Sequence, residues 1–300
     1  MAASAERRHS RRWHQVADLL RLARLNRPVG IWLLLWPTLW ALWLAAGGVP
    51  SLRLLLVFVL GTIVMRSAGC VVNDLLDRNI DPHVRRTRFR PLAARRVSPY
   101  TAIVVAILLL AIALTLALML NAASLRLAFI GAALTLTYPL FKRFFPIPQL
   151  YLGLCFGWGV PMAFAATLGF VPRAGWVLLL ASVLWAGIYD TFYAMADRAD
   201  DQRIGVRSSA ISFGDMDLLM IGCMQLMLLL ALLLAGHSLA LGAYYYSGLA
   251  VGAALFALHL WIARTRERND CLRAFEHNHW FGAVVLAGIA LEYGFRTLSW

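Results

Sequence analysis

Nine apolar runs divide this sequence, at Pro28–Ala46, Leu52–Val72, Thr101–Leu120, Leu127–Phe141, Leu150–Leu168, Trp176–Tyr193, Leu218–Ala235, Leu239–Ile262 and Phe281–Phe295. Each is close to the roughly 20 residues that a helix needs to cross a bilayer. In hydrocarbon every backbone N–H and C=O must be satisfied internally, so only helices and closed barrels span it. None of the runs alternates with the period of two that a barrel strand requires. The expected fold class is therefore all-α, a multi-pass integral membrane helical bundle of about nine transmembrane helices over residues 28–300. With 61% apolar and only 14% charged residues, against about 25% charged in soluble domains, a soluble globule is excluded. Disorder is excluded as well, because stretches such as LLLVFVLGTIVM must be buried in lipid or protein.

The chain carries 28 basic and 15 acidic residues, a net charge of +13, and every basic residue except Lys142 is arginine. Counted by connection, 23 of the 28 lie in the N-terminal tail and after the even-numbered runs, 4 lie on the opposite side, and Arg66 alone lies inside a run. Basic residues of short loops stay in the cytoplasm. The pattern therefore predicts a cytoplasmic N-terminus and an outward C-terminus. It also removes the main support for nucleic-acid binding, since the arginines are dispersed over loops with no recognisable binding domain. MAASAERRHSRRWHQ lacks the apolar core of a cleavable secretion signal. In VADLLRLARLNRP, Val16, Leu19, Leu20 and Ala23 recur at helical spacing beside arginines, so residues 1–27 read as a basic cytoplasmic tail with a helix lying on anionic lipid. Cys70, Cys155, Cys223 and Cys271 have neither disulfide nor metal spacing and read as packing residues.

The acids are scarce and clustered. Seven of the 15 fall in two stretches that end the second and sixth runs. In NDLLDRNID, Asp74, Asp77 and Asp81 stand at i, i+3 and i+7; in YDTFYAMADRADD, Asp190, Asp197 and Asp201 stand at i, i+7 and i+11, with Asp200 alongside. Each set shares one face if its stretch is helical. Carboxylates crowded near a membrane repel one another unless something positive sits among them. A divalent cation meets that need, and magnesium, which takes one or two carboxylates together with phosphate oxygens, suits two facing acid-rich helix ends around a diphosphate. Neutralisation by neighbouring arginines is the alternative reading of each stretch. The equivalent placement of the two stretches, four runs apart, fits an internal duplication.

Arg85, Arg86, Arg88 and Arg90 follow the first stretch, and Arg198, Arg203 and Arg207 the second. Guanidinium groups hold phosphate oxygens in two-pronged contacts, although lipid head groups and topology also explain loop arginines. Arg66 is either the partner of a carboxylate or the receiver of a substrate anion, because an unpaired charge inside an apolar run is expensive. Tyr138, Lys142 and Arg143 in TYPLFKR read either as an interfacial tyrosine beside a snorkelling basic pair or as part of the site. Phe156, Trp158, Tyr189, Phe192 and Tyr193 offer ring faces that can stabilise a carbocation. Glu292 is an acid inside the last run with no evident partner.

NDLLDRNID with RTRFRPLAARRVS, and YDTFYAMADRADDQRIGVRSSAISFG, strongly resemble the two aspartate-rich motifs of the UbiA family of intramembrane prenyltransferases. RPVGIWLLLWPTLWALWLA, MRSAGCVVND, TYPLFKR, FGWGVPMAFAA and NDCLRAFEHNHWFG extend the resemblance over nearly the whole chain after about residue 14. It implies a helix bundle around a central cavity, open to the cytoplasmic side of a bacterial inner (plasma) membrane. It further implies a polyprenyl diphosphate donor and, for the branch most similar to this chain, 4-hydroxybenzoate as acceptor on the way to ubiquinone. Asn73, Asp74, Asp77 and Asp81 match the first motif, and Asp190, Tyr193, Asp197 and Asp201 the second. The roles implied are Mg2+ ligation by Asp74, Asp77, Asp81, Asp197 and Asp200 or Asp201, with Asp77, Asp81, Asp197 and Asp201 essential to turnover. Asn73, Asp190, Tyr193, Arg66, Arg143, Tyr138, Arg78, Arg198 and Arg207 are the substrate-binding candidates. Arg143 and Arg66 match basic positions of that branch, Arg66 being assigned to the acceptor's carboxylate.

No nucleophile and base are arranged for acyl or hydride chemistry, whereas allylic ionisation needs only what is present. The alternatives are another aromatic acceptor, such as a naphthoate or homogentisate, or a cation-coupled transporter. A transporter would place its acids near mid-span, and here they stand at the ends of runs. A CDP-alcohol phosphotransferase would carry DG and AR pairs that the acid stretches lack.

Overall fold

The computed structural model describes residues 15–83, 87–141, 145, 147–205 and 207–298. Residues 15–22 are helical (α1). They are followed by α2 (Val29–Ala46), α3 (Leu52–Leu76), α4 (Pro99–Leu118), α5 (Ala122–Phe141), α6 (Pro148–Gly157), α7 (Gly159–Leu168) and α8 (Arg173–Ile204). The chain continues through α9 (Ser209–Phe213), α10 (Asp217–Ser238), α11 (Ala243–Ala263), α12 (Arg268–His277) and α13 (His279–Leu298). The described residues contain no strand.

Local sequence sets the boundaries. Ser51 Oγ accepts from the Leu54 N–H at 3.4 Å to start α3, and Ser98 Oγ accepts from the Thr101 N–H at 3.1 Å to start α4, with Pro99 in its first turn. Gly205 closes α8 at φ +68°, the left-handed conformation that a residue without Cβ adopts freely. The fifth run is two helices, α6 and α7, joined at Trp158. Pro161 cannot donate to the carbonyl four residues back, and the Trp158 indole turns aside to donate to Leu127 O at 2.8 Å.

Among the described residues, eight helical segments are long and apolar enough to cross a membrane, counting α6–α7 as one and α9–α10 as one. α13, 20 residues long and packed on α11 and α2, occupies the place of the expected ninth. The chain is a multi-span membrane protein. α8 lies at the centre, against α10, α6, α12, α7 and α2, while α4 and α5 turn most of their side chains outward, including Ile103, Ile107, Ile112 and Leu118. The apolar α4 thus needs lipid rather than protein to cover it.

Buried aromatic rings tie the centre together. Trp40 stacks on Trp185 at 5.4 Å, and Phe281 packs on Trp185 at 5.5 Å and on Phe256 at 4.1 Å. Both indoles are satisfied, Trp40 Nε1 donating to Gly282 O at 2.9 Å and Trp185 Nε1 to Asn278 Oδ1 at 3.3 Å, as burial of a polar ring edge demands. The two ends of the bundle differ. At one, Arg53 donates to Met119 O and Asn121 to Ala165 O, and Arg296 pairs with Glu292 at 2.9 Å and reaches Ala240 O. That supplies the partner Glu292 lacked in the sequence. At the other end stand α1, the acids and most of the ion pairs.

Gly282 is required by close approach, since a Cβ there would come within 2.5 Å of Trp185 Cη2 and also press on Trp36. Neither indole has room to retreat. Gly282→Ala is expected to lower stability by about 1–3 kcal/mol through overpacking, seen as a reduced midpoint of thermal unfolding in detergent.

Candidate active site

The first acid stretch departs from the expected single helical face. α3 stops at Leu76, Asp77 caps it with its N–H on Asn73 O, the chain turns, and Asp81 begins a 3-10 turn ending at His83. Pro82 disfavours helical backbone at Asp81, and Arg78 Nη1 donates to Leu75 O at 3.0 Å, satisfying a carbonyl at the helix end. The turn folds the acids together all the same, because Asp81 N–H donates to Asp77 O at 2.9 Å. Asp74, Asp77 and Asp81 are only 1%, 6% and 5% exposed.

Arginines remote in sequence balance that burial. Arg90 Nη1 bridges Asp74 Oδ1 at 3.0 Å and Asp81 Oδ2 at 2.8 Å, and Arg24 Nη2 reaches Asp74 Oδ1 at 2.8 Å. Thr87 Oγ1 donates to Asp81 O at 2.9 Å and closes the loop over the acids. One oxygen of Asp74 thus holds two guanidinium groups, while its buried Oδ2 has no hydrogen-bond partner. Asp74, expected among the metal ligands, holds Arg24 and Arg90 through Oδ1 alone, so Oδ2 is the oxygen left for a ligand.

The second stretch lies on one uninterrupted helix, α8, so the expected common face of Asp190, Asp197 and Asp201 is present. Asp197 is buried, and Asp200 and Asp201 are half-buried. Arg268, the first residue of α12, sits over this cluster, with Nη2 3.6 Å from Asp197 Oδ1 and Nη1 3.5 Å from Asp200 Oδ2. α12 is seated by its apolar face. Phe275 packs on Tyr193 at 4.9 Å and on Tyr189 at 6.2 Å, and Cys271 and Ala274 are fully buried. Burial pushes the Cys271 thiol up to about 11, so it is a packing group at neutral pH.

The other candidate arginines separate. Arg198 turns away from the acids to pair with the fully buried Asp217, which also takes Arg266 Nη2 at 2.9 Å. Arg78 and Arg207 are exposed at the rim. Arg143, with Lys142, Arg85 and Arg86, lies outside the described residues.

Below the acids, three helices contribute a wall. Among the described residues no carboxylate pairs with Arg66. Its Nη1 donates to Cys70 Sγ, its guanidinium lies 5.6 Å over the Phe156 ring, and it presses on Gly30, where a Cβ would come 2.7 Å from Nη2. Its Nε is buried without a hydrogen-bond partner. Tyr138, on α5, stacks on Tyr151 and lies within electrostatic reach of Asp190, Asp77 and Arg66. Tyr138 thus lies near one acid of each stretch, Asp77 and Asp190, and near Arg66.

Among the described residues no three His, Cys, Asp or Glu side chains converge as a ready-made metal group. The donors nevertheless suit magnesium, which takes few protein oxygens and completes its shell with water and phosphate. The site fits an ion held by a few carboxylate oxygens, with the rest of its shell open to water and substrate oxygens. Two members were not among the sequence candidates. Arg24 was one of seven arginines before Pro28, and Arg268 one of four in the last basic connection. Their signal was only the excess of acid elsewhere.

A multi-span helical bundle that gathers two aspartate-rich helix ends and their arginines at one rim belongs to the class of membrane-embedded enzymes that act on anionic, lipid-like substrates. Residues 34–282 match the UbiA prenyltransferase family. The chain belongs to that family. It is 50% identical over 293 residues to a protein of Ectopseudomonas mendocina named 4-hydroxybenzoate octaprenyltransferase, covering 98% of both chains. It is similar in structure to a UbiA homolog from Aeropyrum pernix, with 25% identity, a TM-score of 0.75, and coverage of 87% of this chain and 97% of that one. A UbiA homolog from Archaeoglobus fulgidus bound to GPP and Mg2+ shares the fold, with 19% identity, a TM-score of 0.68, and coverage of 91% of this chain and 99% of that one.

Asp74→Asn should remove the charge shared by Arg24 and Arg90 and lower stability by about 2–3 kcal/mol, read as a lower unfolding midpoint without added metal. A second expectation concerns His277, whose Nδ1 lies 3.0 Å from His259 Nε2. Burial, aided by nearby His279, holds His277 below the ordinary histidine value of 6.5. The folded chain then binds fewer protons than the unfolded one, so stability is full above pH 6.5 and falls as pH drops below it. His277→Gln should flatten that fall in unfolding midpoints measured from pH 7.5 down to about pH 5.

Proposed function

We propose that this chain transfers a polyprenyl group from a polyprenyl diphosphate to 4-hydroxybenzoate, at the carbon ortho to the hydroxyl, releasing diphosphate, as a step in ubiquinone biosynthesis. The observation that carries the reading is that Tyr138 lies near an acid of each stretch, Asp77 and Asp190, and near Arg66, whose guanidinium lies over Phe156 beside Tyr189. The name of the Ectopseudomonas mendocina relative supports the acceptor and suggests an eight-unit donor. The ligands of the Archaeoglobus fulgidus homolog support a prenyl diphosphate with Mg2+.

Asp74, Asp77 and Asp81 on one side, and Asp197 with Asp200 or Asp201 on the other, would hold the metal against the diphosphate, with Asn73, Asp190 and Tyr193 beside them. Bound there, Mg2+ supplies Lewis-acid neutralisation of the charge that gathers on the leaving diphosphate. The chain's own residues do the rest. Arg90 fixes Asp81, Arg78 and Arg207 are assigned to the approaching diphosphate from the rim, and Arg143 is assigned to substrate binding. Arg66, anchored on Cys70 and lying over Phe156, is assigned to the acceptor's carboxylate. The C–O bond of the donor breaks with its electron pair going to diphosphate. The allylic carbon then bonds to the ring carbon activated by the phenol oxygen, and that carbon gives up its proton. Phe156, Tyr189 and Tyr193 present ring faces toward the developing cation, and the protein interior keeps water from quenching it.

The arginine distribution supports a cytoplasmic N-terminus and acid rim in a bacterial inner membrane. Residues 1–27 are assigned as the basic tail and interfacial helix, and residues 28–300 as one transmembrane domain. A transporter would need acids at mid-depth, whereas these stand where α3 ends and in the last turns of α8.

The test is incubation of the purified protein with Mg2+, a labelled polyprenyl diphosphate and a panel of aromatic acids. Transfer to 4-hydroxybenzoate is expected, and transfer only to another acceptor overturns the assignment. Asp77→Ala, Asp81→Ala, Asp197→Ala and Asp201→Ala should each reduce turnover about a hundredfold or more in protein that still inserts. EDTA should do the same to the parent, and full activity in EDTA would falsify the metal role.

A further inference from the structure

The two acid clusters are each bridged by one arginine, and the two bridges differ in strength. Arg90 makes charge-assisted hydrogen bonds of 3.0 and 2.8 Å to Asp74 and Asp81, inside a loop closed by Thr87. Arg268 stands 3.6 and 3.5 Å from Asp197 and Asp200, beyond hydrogen-bond length, with 40% of its side chain exposed. Arg90 is thus part of a fixed, desolvated network, and Arg268 is a looser counterion held by charge. Buried pairs are screened little, whereas half-exposed ones contribute modestly and exchange readily.

We infer that Arg268 is the displaceable counterion of the second acid cluster: it neutralises Asp197 and Asp200 while the site is metal-free, and a divalent cation must drive it off. This inference rests on the metal reading proposed above. Three observations on the chain carry it. Arg268 lies on oxygens a cation would take, with Nη2 against Asp197 Oδ1 and Nη1 against Asp200 Oδ2. It is the first residue of α12, in a turn that Thr265 ties down by donating to Asp270 Oδ2 at 2.8 Å and accepting from the Glu267 N–H at 3.1 Å, so the long side chain can swing away without the backbone moving. The remainder of α12 is anchored independently, by Cys271 and Ala274 in the core and Phe275 on Tyr193. Displacement therefore frees one guanidinium at the rim while the helix stays seated. The freed group is then beside the place where diphosphate oxygens arrive, so a single residue serves the metal-free and substrate-bound states. Arg268 is a positioning residue and takes no part in bond making.

The test uses the full chain in detergent or nanodiscs, with Mg2+ alone and no prenyl substrate, and reads the unfolding midpoint against Mg2+ concentration. Arg268→Gln should unfold at a lower temperature than the parent in EDTA, and should reach half of its Mg2+-dependent rise at about fivefold lower Mg2+. Arg268→Lys, which keeps the charge but cannot fork across two carboxylates, should fall between them. On the parent itself, Mg2+ should leave hydrogen exchange across residues 268–277 unchanged, since only the guanidinium moves. An unchanged or higher Mg2+ midpoint in Arg268→Gln, or Mg2+-dependent loosening of α12 as a whole, overturns the inference while leaving the metal reading intact. A parent that shows no response to Mg2+ overturns both, and turnover assays with prenyl diphosphate address the transfer reading separately.

Discussion

Carboxylates brought to the end of an apolar helix bundle must find positive charge, and the arrangement of the whole rim follows from that requirement. Burying an ionised carboxylate is costly unless it is paired and hydrogen-bonded. Here Asp74, Asp81 and Asp217 are each met by guanidinium groups from other segments of the chain. The pairings therefore act as cross-links as well as neutralisation. Arg24 ties the segment after α1 to the end of α3, and Arg90 ties the loop after α3 back onto it. Arg266 and Arg198 tie the ends of α11 and α8 to the start of α10. Both Arg24 and Arg266 adopt left-handed backbone, at φ +57° and +56°, a strain of about 1–3 kcal/mol each that persists because the ion pair aims the side chain.

The membrane fold was legible because its signal is long and physical. Each apolar run had to become a helix, and most predicted ends lie within a few residues of those observed, but the sixth run was expected to end at Tyr193 whereas α8 continues through the acid stretch to Ile204. The exceptions were interruptions too local for a hydropathy reading, namely the break at Trp158 inside the fifth run, and α12, whose 10 residues lie in a polar connection. The acid clusters were legible as well, since scarce charge at a run's end has few explanations. Their geometry was only half legible. The i, i+3, i+7 spacing of Asp74, Asp77 and Asp81 invited a continuous helix, but the Asp81–Pro82 step and a carbonyl-capping Arg78 ended it at Leu76. The same spacing argument succeeded for α8, where no proline intervenes.

Partners were least legible of all. With 28 basic residues concentrated on one side, topology accounts for nearly every arginine taken singly, and nothing local marks which ones turn inward. Arg198, adjacent to Asp197, looked like a member of the site and instead holds Asp217 on the far face of α8. Helical geometry explains why: neighbours in sequence point about a quarter-turn or more apart, so adjacency to a motif is weak evidence of sharing its face. Arg268, some 70 residues from Asp197, was invisible for the converse reason, since only the packing of α12 on α8 brings it there.

The near absence of lysine then acquires a structural sense. A lysine satisfies the positive-inside bias as well as an arginine does, so topology alone does not explain why 27 of the 28 basic residues are arginine. The bridges supply a reason at the positions where they occur. Arg90 contacts two carboxylates at once, Arg268 spans another two through separate nitrogens, and Arg266 engages Asp217 through both Nε and Nη2 while also donating to Asp215 O. A planar fork with several fixed donors can serve two acceptors simultaneously, whereas an ammonium is a single compact point charge. In a rim where acids stand in clusters, Arg90 and Arg268 can each answer two carboxylates at once, which a lysine at the same position would do less well.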